Sequence, residues 1–158
     1  VHGDGMSLWV SCHCEDVARA FVEAVGNPQA FGKSYTVAGE EWMTWNDIHR
    51  IVAEEIGAPE PALVHIPTDL LAQMTRRAFI CAINFQYNNI FDNAAARADL
   101  NFRYTIPFRE GVRRIVAWLD THHRIENSDN DPEEDRVLAL WQRHTESLLK
   151  ESGASAPE

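Results

Sequence analysis

Apolar positions along the chain fall into short alternating runs separated by stretches of helical period. Met6 to His13 is rich in apolar and β-favouring residues and predicts a strand. Val17, Ala18, Phe21, Val22 and Val25 then recur at helical spacing, with Glu15 and Asp16 at the positive end of the predicted helix and Gly26-Asn27-Pro28 as its stop. Ser34 to Ala38 predicts a second strand. Thr44 reads as an N-cap, with Asp47 three residues on as a weak capping box, for a helix whose buried face is Ile48, Ile51, Val52 and Ile56. Gly57 and Pro59 end it. Ala62 to Ile66 predicts a short strand closed by Pro67, and Thr68 or Asp69 caps a helix from about Leu70 to Ile80.

Cys81 to Asn89 has no clear period. Asp92 reads as the cap of a short helix through Ala94-Ala95-Ala96-Arg97, and Pro107 opens a helix with Phe108, Val112, Ile115, Val116 and Leu119 on its apolar stripe. Trp118 and Trp141 lie on or beside such stripes and are expected in the core. The alternation of strands and helices predicts an α/β fold, a small mixed sheet with packed helices. Residues 1–125 form the main unit, 126–132 an acidic linker, 133–150 a C-terminal amphipathic helix with Val137, Trp141, His144 and Leu148 on one face, and 151–158 a disordered tail.

Composition narrows the function classes. A content of 45% hydrophobic and 24% charged residues is that of a globular chain. No stretch approaches the roughly 20 apolar residues of a membrane span, so no membrane partner is expected. The net charge of −10, from 14 basic against 24 acidic residues, opposes binding to a phosphate backbone, and no nucleic acid is expected either. Three cysteines, Cys12, Cys14 and Cys81, cannot all pair, which fits a reducing, cytoplasmic setting. The opening Val1-His2-Gly3-Asp4-Gly5 has neither an initiator Met nor a signal-peptide pattern and reads as a chain entered partway.

Candidate chemistry is sparse. Cys12-His13-Cys14 invites a metal reading, but its spacing is poor for one, and no metal is expected. No glycine-rich dinucleotide turn, nucleophile elbow, phosphate-binding loop or His-Glu-x-x-His is present. None of Tyr35, Tyr87 and Tyr104 is followed by Lys at the fourth position. Trp9 in the first strand is a candidate pocket wall.

The stretch His13-Cys14-Glu15-Asp16-Val17-Ala18 resembles the His-Val-x-Asp-Val-Ala motif of the extended short-chain dehydrogenase/reductases, in their NAD-dependent epimerase/dehydratase branch. Similar pieces follow in order. Gly32 to Val37 resembles the Gly-x-x-Tyr-Asn-Ile strand, Met43 to Ile48 the helix start after it, and Val64 to Pro67 and Phe91 to Leu100 continue the series. Ile106-Pro107 through Glu110-Gly111-Val112 resembles the start of the last helix. The likeness runs from Val1 to about Asp120.

The resemblance implies the C-terminal part of an extended Rossmann-type reductase fold, closing over a small-molecule substrate. NAD or NADP and the catalytic Tyr-x-x-x-Lys would belong to a missing N-terminal Rossmann half, with no cofactor bound and no catalytic residue supplied by this chain. It makes Trp9 and His13 the substrate-side candidates, and the residues themselves make Asp16, Thr44 and Asp92 structural caps. UDP-sugar epimerases of the family carry a diphosphate-binding Arg where this chain has Trp9, and their later Arg-x-Gly-Asp is replaced near Ile90 to Asn93. Trp offers no cationic fork for phosphate, so a less charged alcohol or ketone is expected. The alternative is a stand-alone ligand- or protein-binding module. Ser34 to Ala38 joins the large sheet in relatives, so this chain alone is expected to self-associate, as a homodimer in the simplest case.

Overall fold

A computed structural model describes residues 1–153. The expected tail begins inside the last turn of the C-terminal helix and otherwise lies outside the described residues. Strand β1 (Leu8–Trp9) pairs antiparallel with β2 (Met43–Thr44), Leu8 facing Thr44 and Trp9 facing Met43. A parallel bridge joins His2 to Ile66. The helices around this two-stranded antiparallel sheet are α1 (Cys14–Ala24), α2 (Trp45–Glu55), α3 (Thr68–Met74), α4 (Ala94–Leu100), α5 (Phe108–Thr121) and α6 (Glu133–Ser152). The α/β class expected from the pattern is the fold observed.

The strands are much shorter than their hydrophobic runs, because side chains take the place of ladder partners. Around β1, the Leu8 amide donates to Asn88 Oδ1 at 2.8 Å, and the Leu8 carbonyl accepts from the Asn89 amide at 2.8 Å. Ser34 to Ala38 forms no strand. Both backbone groups of Ala38 are held by the buried Asn93 amide, at 3.0 Å to the N–H and 2.9 Å to the carbonyl. Ala62 to Ile66 is reduced to its bridge, where Ile66 N–H donates to Val1 and Gly3 N–H to Ile66, at 3.0 and 2.8 Å. Each substitution satisfies backbone groups that burial would otherwise leave unpaired.

Helix ends follow local chemistry. Thr44 and Asp47 form a reciprocal capping box on α2, each backbone N–H accepted by the other's side chain at 3.1 Å. At the start of α4 the cap position is Asn93 and not the expected Asp92, which accepts the Ala94 N–H at 2.8 Å from one residue before it. The expected helix from Leu70 to Ile80 breaks at Thr75, whose backbone is extended. Its hydroxyl donates to Glu133 and accepts the Arg77 N–H, which starts a separate 3-10 turn, Arg76–Ala78. The unreadable stretch that follows is a π-helical segment, Cys81–Phe85. Pro67 and not Thr68 or Asp69 stands at the cap of α3, without a side-chain bond. Within the acidic linker, Ser128–Asn130 makes one 3-10 turn.

The burial of α1 differs most from expectation. Its inward face is Asp16 and Ala20, while Phe21, Val22 and Val25 of the expected stripe are 72%, 70% and 83% exposed. Phe21 and Ala24 instead edge an apolar groove of about 200 Å³ with Tyr35, Val37 and Leu100. Trp118, expected in the core, is also exposed and stacks on His122 with ring centroids 4.2 Å apart. The core proper is Ala20, Ala96 and Phe102, with Cys12, Tyr35, Val37 and Tyr104 packed against it.

The cap of α1 is His13, whose ring accepts the Glu15 N–H at 3.2 Å. Asp16 has a different task. It is fully buried, and its carboxylate accepts the Thr105 N–H at 2.9 Å, the Thr105 hydroxyl at 2.7 Å and the Ile106 N–H at 3.1 Å. Arg19 adds an ion pair from its half-exposed position. Asp16→Ala therefore leaves two backbone donors orphaned, and is expected to cost about 3–5 kcal/mol and lower Tm by roughly 10 °C. Arg19→Ala should cost less than about 1 kcal/mol. Chemical denaturation of the two variants checks both; equal losses would contradict the assignment.

Candidate functional site

The two substrate-side candidates sit four residues apart and face different surroundings. Trp9 belongs to an aromatic cluster built where β1, β2 and the π-helical segment meet. Its ring stacks on Trp45 at 5.8 Å and meets the edge of Phe85 at 4.8 Å, while Phe85 lies 4.7 Å from Trp45. His2 closes the cluster, edge-on to Trp45 at 5.2 Å. The carbonyl of Phe85 ties these parts together. It accepts His2 Nε2 at 3.0 Å, Ser7 Oγ at 2.7 Å and Trp45 Nε1 at 3.2 Å.

Because a carbonyl only accepts, His2 carries its proton on Nε2 and presents a lone pair at Nδ1. Burial pushes the His2 imidazole below its ordinary pKa, outweighing the opposing Phe85 bond. No sequence motif marked His2, Ser7 or Phe85. The only local signal was the Gly3-Asp4-Gly5 turn, where φ is +56° at Gly3 and +71° at Gly5. A Cβ on Gly5 would collide with the Asn46 amide, which holds the Asp4 carbonyl at 3.0 Å and His65 Nε2 at 2.9 Å.

His13 faces a separate cavity of about 250 Å³, lined among others by Cys12, Cys14, Tyr104 and Phe108, and Trp9 is not part of its wall. Gly111 comes close to the imidazole, 3.4 Å from the place a Cβ would occupy. Glu41 organises the rim from outside: its carboxylate accepts the Phe108 N–H at 2.7 Å, at the start of α5, and the Tyr104 hydroxyl. Burial and the Glu41 bond push the Tyr104 phenol well above its ordinary pKa, and burial raises the Cys12 thiol. Both therefore stay protonated near neutral pH.

Nucleophilic catalysis lacks its base here. Cys14 Sγ stands 4.0 Å from His13 Nδ1, but that nitrogen already accepts the Glu15 N–H. Among the described residues, no three His, Cys, Asp or Glu side chains converge to hold a metal ion. A dinucleotide needs a glycine-rich turn between a strand and a helix N-terminus. The turn at Gly3-Asp4-Gly5 leads into β1 and not into a helix, so it is not a turn of that kind.

No family model matches the chain. The chloroplast stem-loop binding protein of 41 kDa b of Arabidopsis thaliana is 31% identical over 65 residues, 41% of this chain and 17% of that protein. Among solved structures, UDP-glucuronic acid 4-epimerase from Bacillus cereus in complex with NAD superposes with a TM-score of 0.54 at 16% identity, over 72% of this chain and 31% of that one. The protein gox2253 gives 0.56 at 21% identity, over 76% and 39%. A functionally unknown conserved protein from Silicibacter pomeroyi DSS gives 0.54 at 23% identity, over 72% and 39%. The chain thus spans well under half the length of each. These likenesses establish the fold alone, a mixed α/β fold shared with the matched region of each of these proteins. No helix among the described residues is long and apolar enough to cross a membrane.

The depressed His2 pKa has a definite sign. Below the ordinary imidazole value of about 6.5 the unfolded chain takes up the proton first, so stability is full above that pH. It falls as pH drops toward the folded value. His2→Asn should flatten the dependence of Tm on pH in the range just below about 6.5. Calorimetry across that window checks this, and an unchanged slope would remove His2 from the account.

Proposed function

We propose that this chain is the substrate-binding C-terminal portion of an NAD(P)-dependent epimerase/dehydratase-like oxidoreductase acting on a secondary alcohol, ketone or sugar. The observation that carries the proposal is the fold likeness over about three quarters of the chain to roughly a third of an NAD-binding epimerase. The ordered series of motifs from His13 to Val112 supports it independently. NAD or NADP would be held by a Rossmann half supplied from outside these residues, and that half would carry the Tyr-x-x-x-Lys and the reacting hydride. No step is assigned to residues of this chain.

The exposed apolar groove of α1, with Phe21, Tyr35 and Val37, supports a seat for that half. On its own the chain would then associate with a second copy in a concentration-dependent way. The Arabidopsis relative is named for stem-loop binding, but nucleic acid is not proposed as a partner here. Beyond the net charge of −10, Arg77, Arg97, Arg109, Arg113 and Arg114 are all engaged with carboxylates.

Fluorescence titration tests the division of labour. The 158-residue chain should show no saturable NADH binding at micromolar concentrations, whereas a longer protein carrying an upstream in-frame glycine-rich turn and Tyr-x-x-x-Lys should bind it. Micromolar binding by this chain alone would overturn the proposal. Light scattering should show dimers that Phe21→Glu weakens.

A further inference from the structure

A second cavity, of about 320 Å³, lies beside the aromatic cluster and is lined by His2, Gly3, Asp4, Ser7, Thr68 and Gln86. Two of these side chains are more than nine-tenths buried, His2 at 6% and Thr68 at 8% exposure. The Thr68 hydroxyl has no hydrogen-bond partner among the described residues. It is not sealed either, since Asn84 Oδ1 is the one fully enclosed side-chain atom left unpaired there. It therefore opens on the cavity, over Gly3, where a Cβ would come within 3.2 Å of it.

The remaining groups are mostly acceptors. The His2 ring has used its Nε2 proton on Phe85 and offers Nδ1. Ser7 has used its proton on the same carbonyl at 2.7 Å and keeps its lone pairs. Gln86 donates to the Ala82 carbonyl and leaves Oε1, and Asp4 accepts the Met6 N–H at 2.9 Å through Oδ1 and leaves Oδ2. No Lys or Arg lines the wall. A ligand must bring several donors and no negative charge. Acceptors spread over five residues, four of them uncharged, suit several hydroxyls better than one ammonium.

We propose that this cavity binds a neutral polyhydroxylated ligand of the carbohydrate or cyclitol class, with the Thr68 hydroxyl as its buried contact. The assignment rests on the cavity alone and holds whether or not the chain serves an oxidoreductase.

Saturation-transfer NMR on the 158-residue chain tests it with myo-inositol, myo-inositol 1-phosphate and methylammonium as probes. Saturable transfer to myo-inositol is expected, with the phosphate at least about tenfold weaker. Thr68→Val should weaken inositol binding about tenfold at unchanged circular dichroism. Should that variant fold poorly, Asp4→Asn at an exposed position gives the second reading, with a loss of about threefold or more. Absent transfer to inositol, equal or tighter binding of the phosphate, binding of methylammonium alone, or unchanged affinity in a folded Thr68→Val would each overturn the proposal.

Discussion

A carboxylate with no access to water holds the two ends of this fold together. Taking Asp16 out of solvent costs several kcal/mol on its own, so its burial is tolerable only with every lone pair engaged. Thr105 supplies two donors, Ile106 one, and Arg19 the compensating charge. Thr105 and Ile106 lie some ninety residues away along the chain. The bond fixes where α1 begins relative to the segment that leads into α5. His13 on one side and Tyr104 on the other are thereby set as facing walls of one cavity. Glu41 then completes the frame by accepting the first N–H of α5.

The same logic, side chain in place of backbone, recurs where a sheet was expected. Asn93 treats Ala38 as a neighbouring strand would, donating to its carbonyl and accepting from its amide. Asn88 does half of that for Leu8. These amides satisfy extended segments one residue at a time, which is enough to bury them but propagates no ladder. That explains why Met6 to His13 and Ser34 to Ala38 have strand composition and yet yield two paired residues and none. Alternation reports which faces of a segment are apolar; it does not report whether a partner strand lies alongside.

Local chemistry was legible and burial direction was not. The Thr44–Asp47 box, the stop at Gly26 and the acceptor at Asp92 all depend on neighbours within a few residues, and all stand in the structure. The break at Thr75 depends on Glu133, far along the chain, and no window around residue 75 contains it. On α1 the spacing shows the apolar stripe but not which face turns inward, and the buried positions are Asp16 and Ala20 while Phe21 and Val22 stay exposed. The Phe85 carbonyl, which organises His2, Ser7 and Trp45, is a backbone atom and leaves no mark in side-chain spelling. Trp9, expected as a pocket wall, packs instead within that cluster and lines none of the cavities described above.

The charge pattern links the cavities to what they can hold. Many arginines are committed to carboxylates: Arg109 and Arg113 to Glu55 between α5 and α2, Arg114 to Glu110 within α5, and Arg77 to Asp131. Mutual pairing links α2 with α5, and the Arg76–Ala78 turn with the start of α6, and at the same time withdraws these cations from recognising a phosphate. What remains around the His2 and His13 cavities is imidazole, hydroxyl, thiol and aromatic surface, with the Asp4 carboxylate and the Gln86 amide beside His2. Walls of that kind favour ligands whose polar groups are hydroxyls, because an anion leaving water there would find no compensating charge. Trp9, which offers no cationic fork either, agrees with that arrangement: much of the positive charge near these walls is paired with carboxylates on the chain itself.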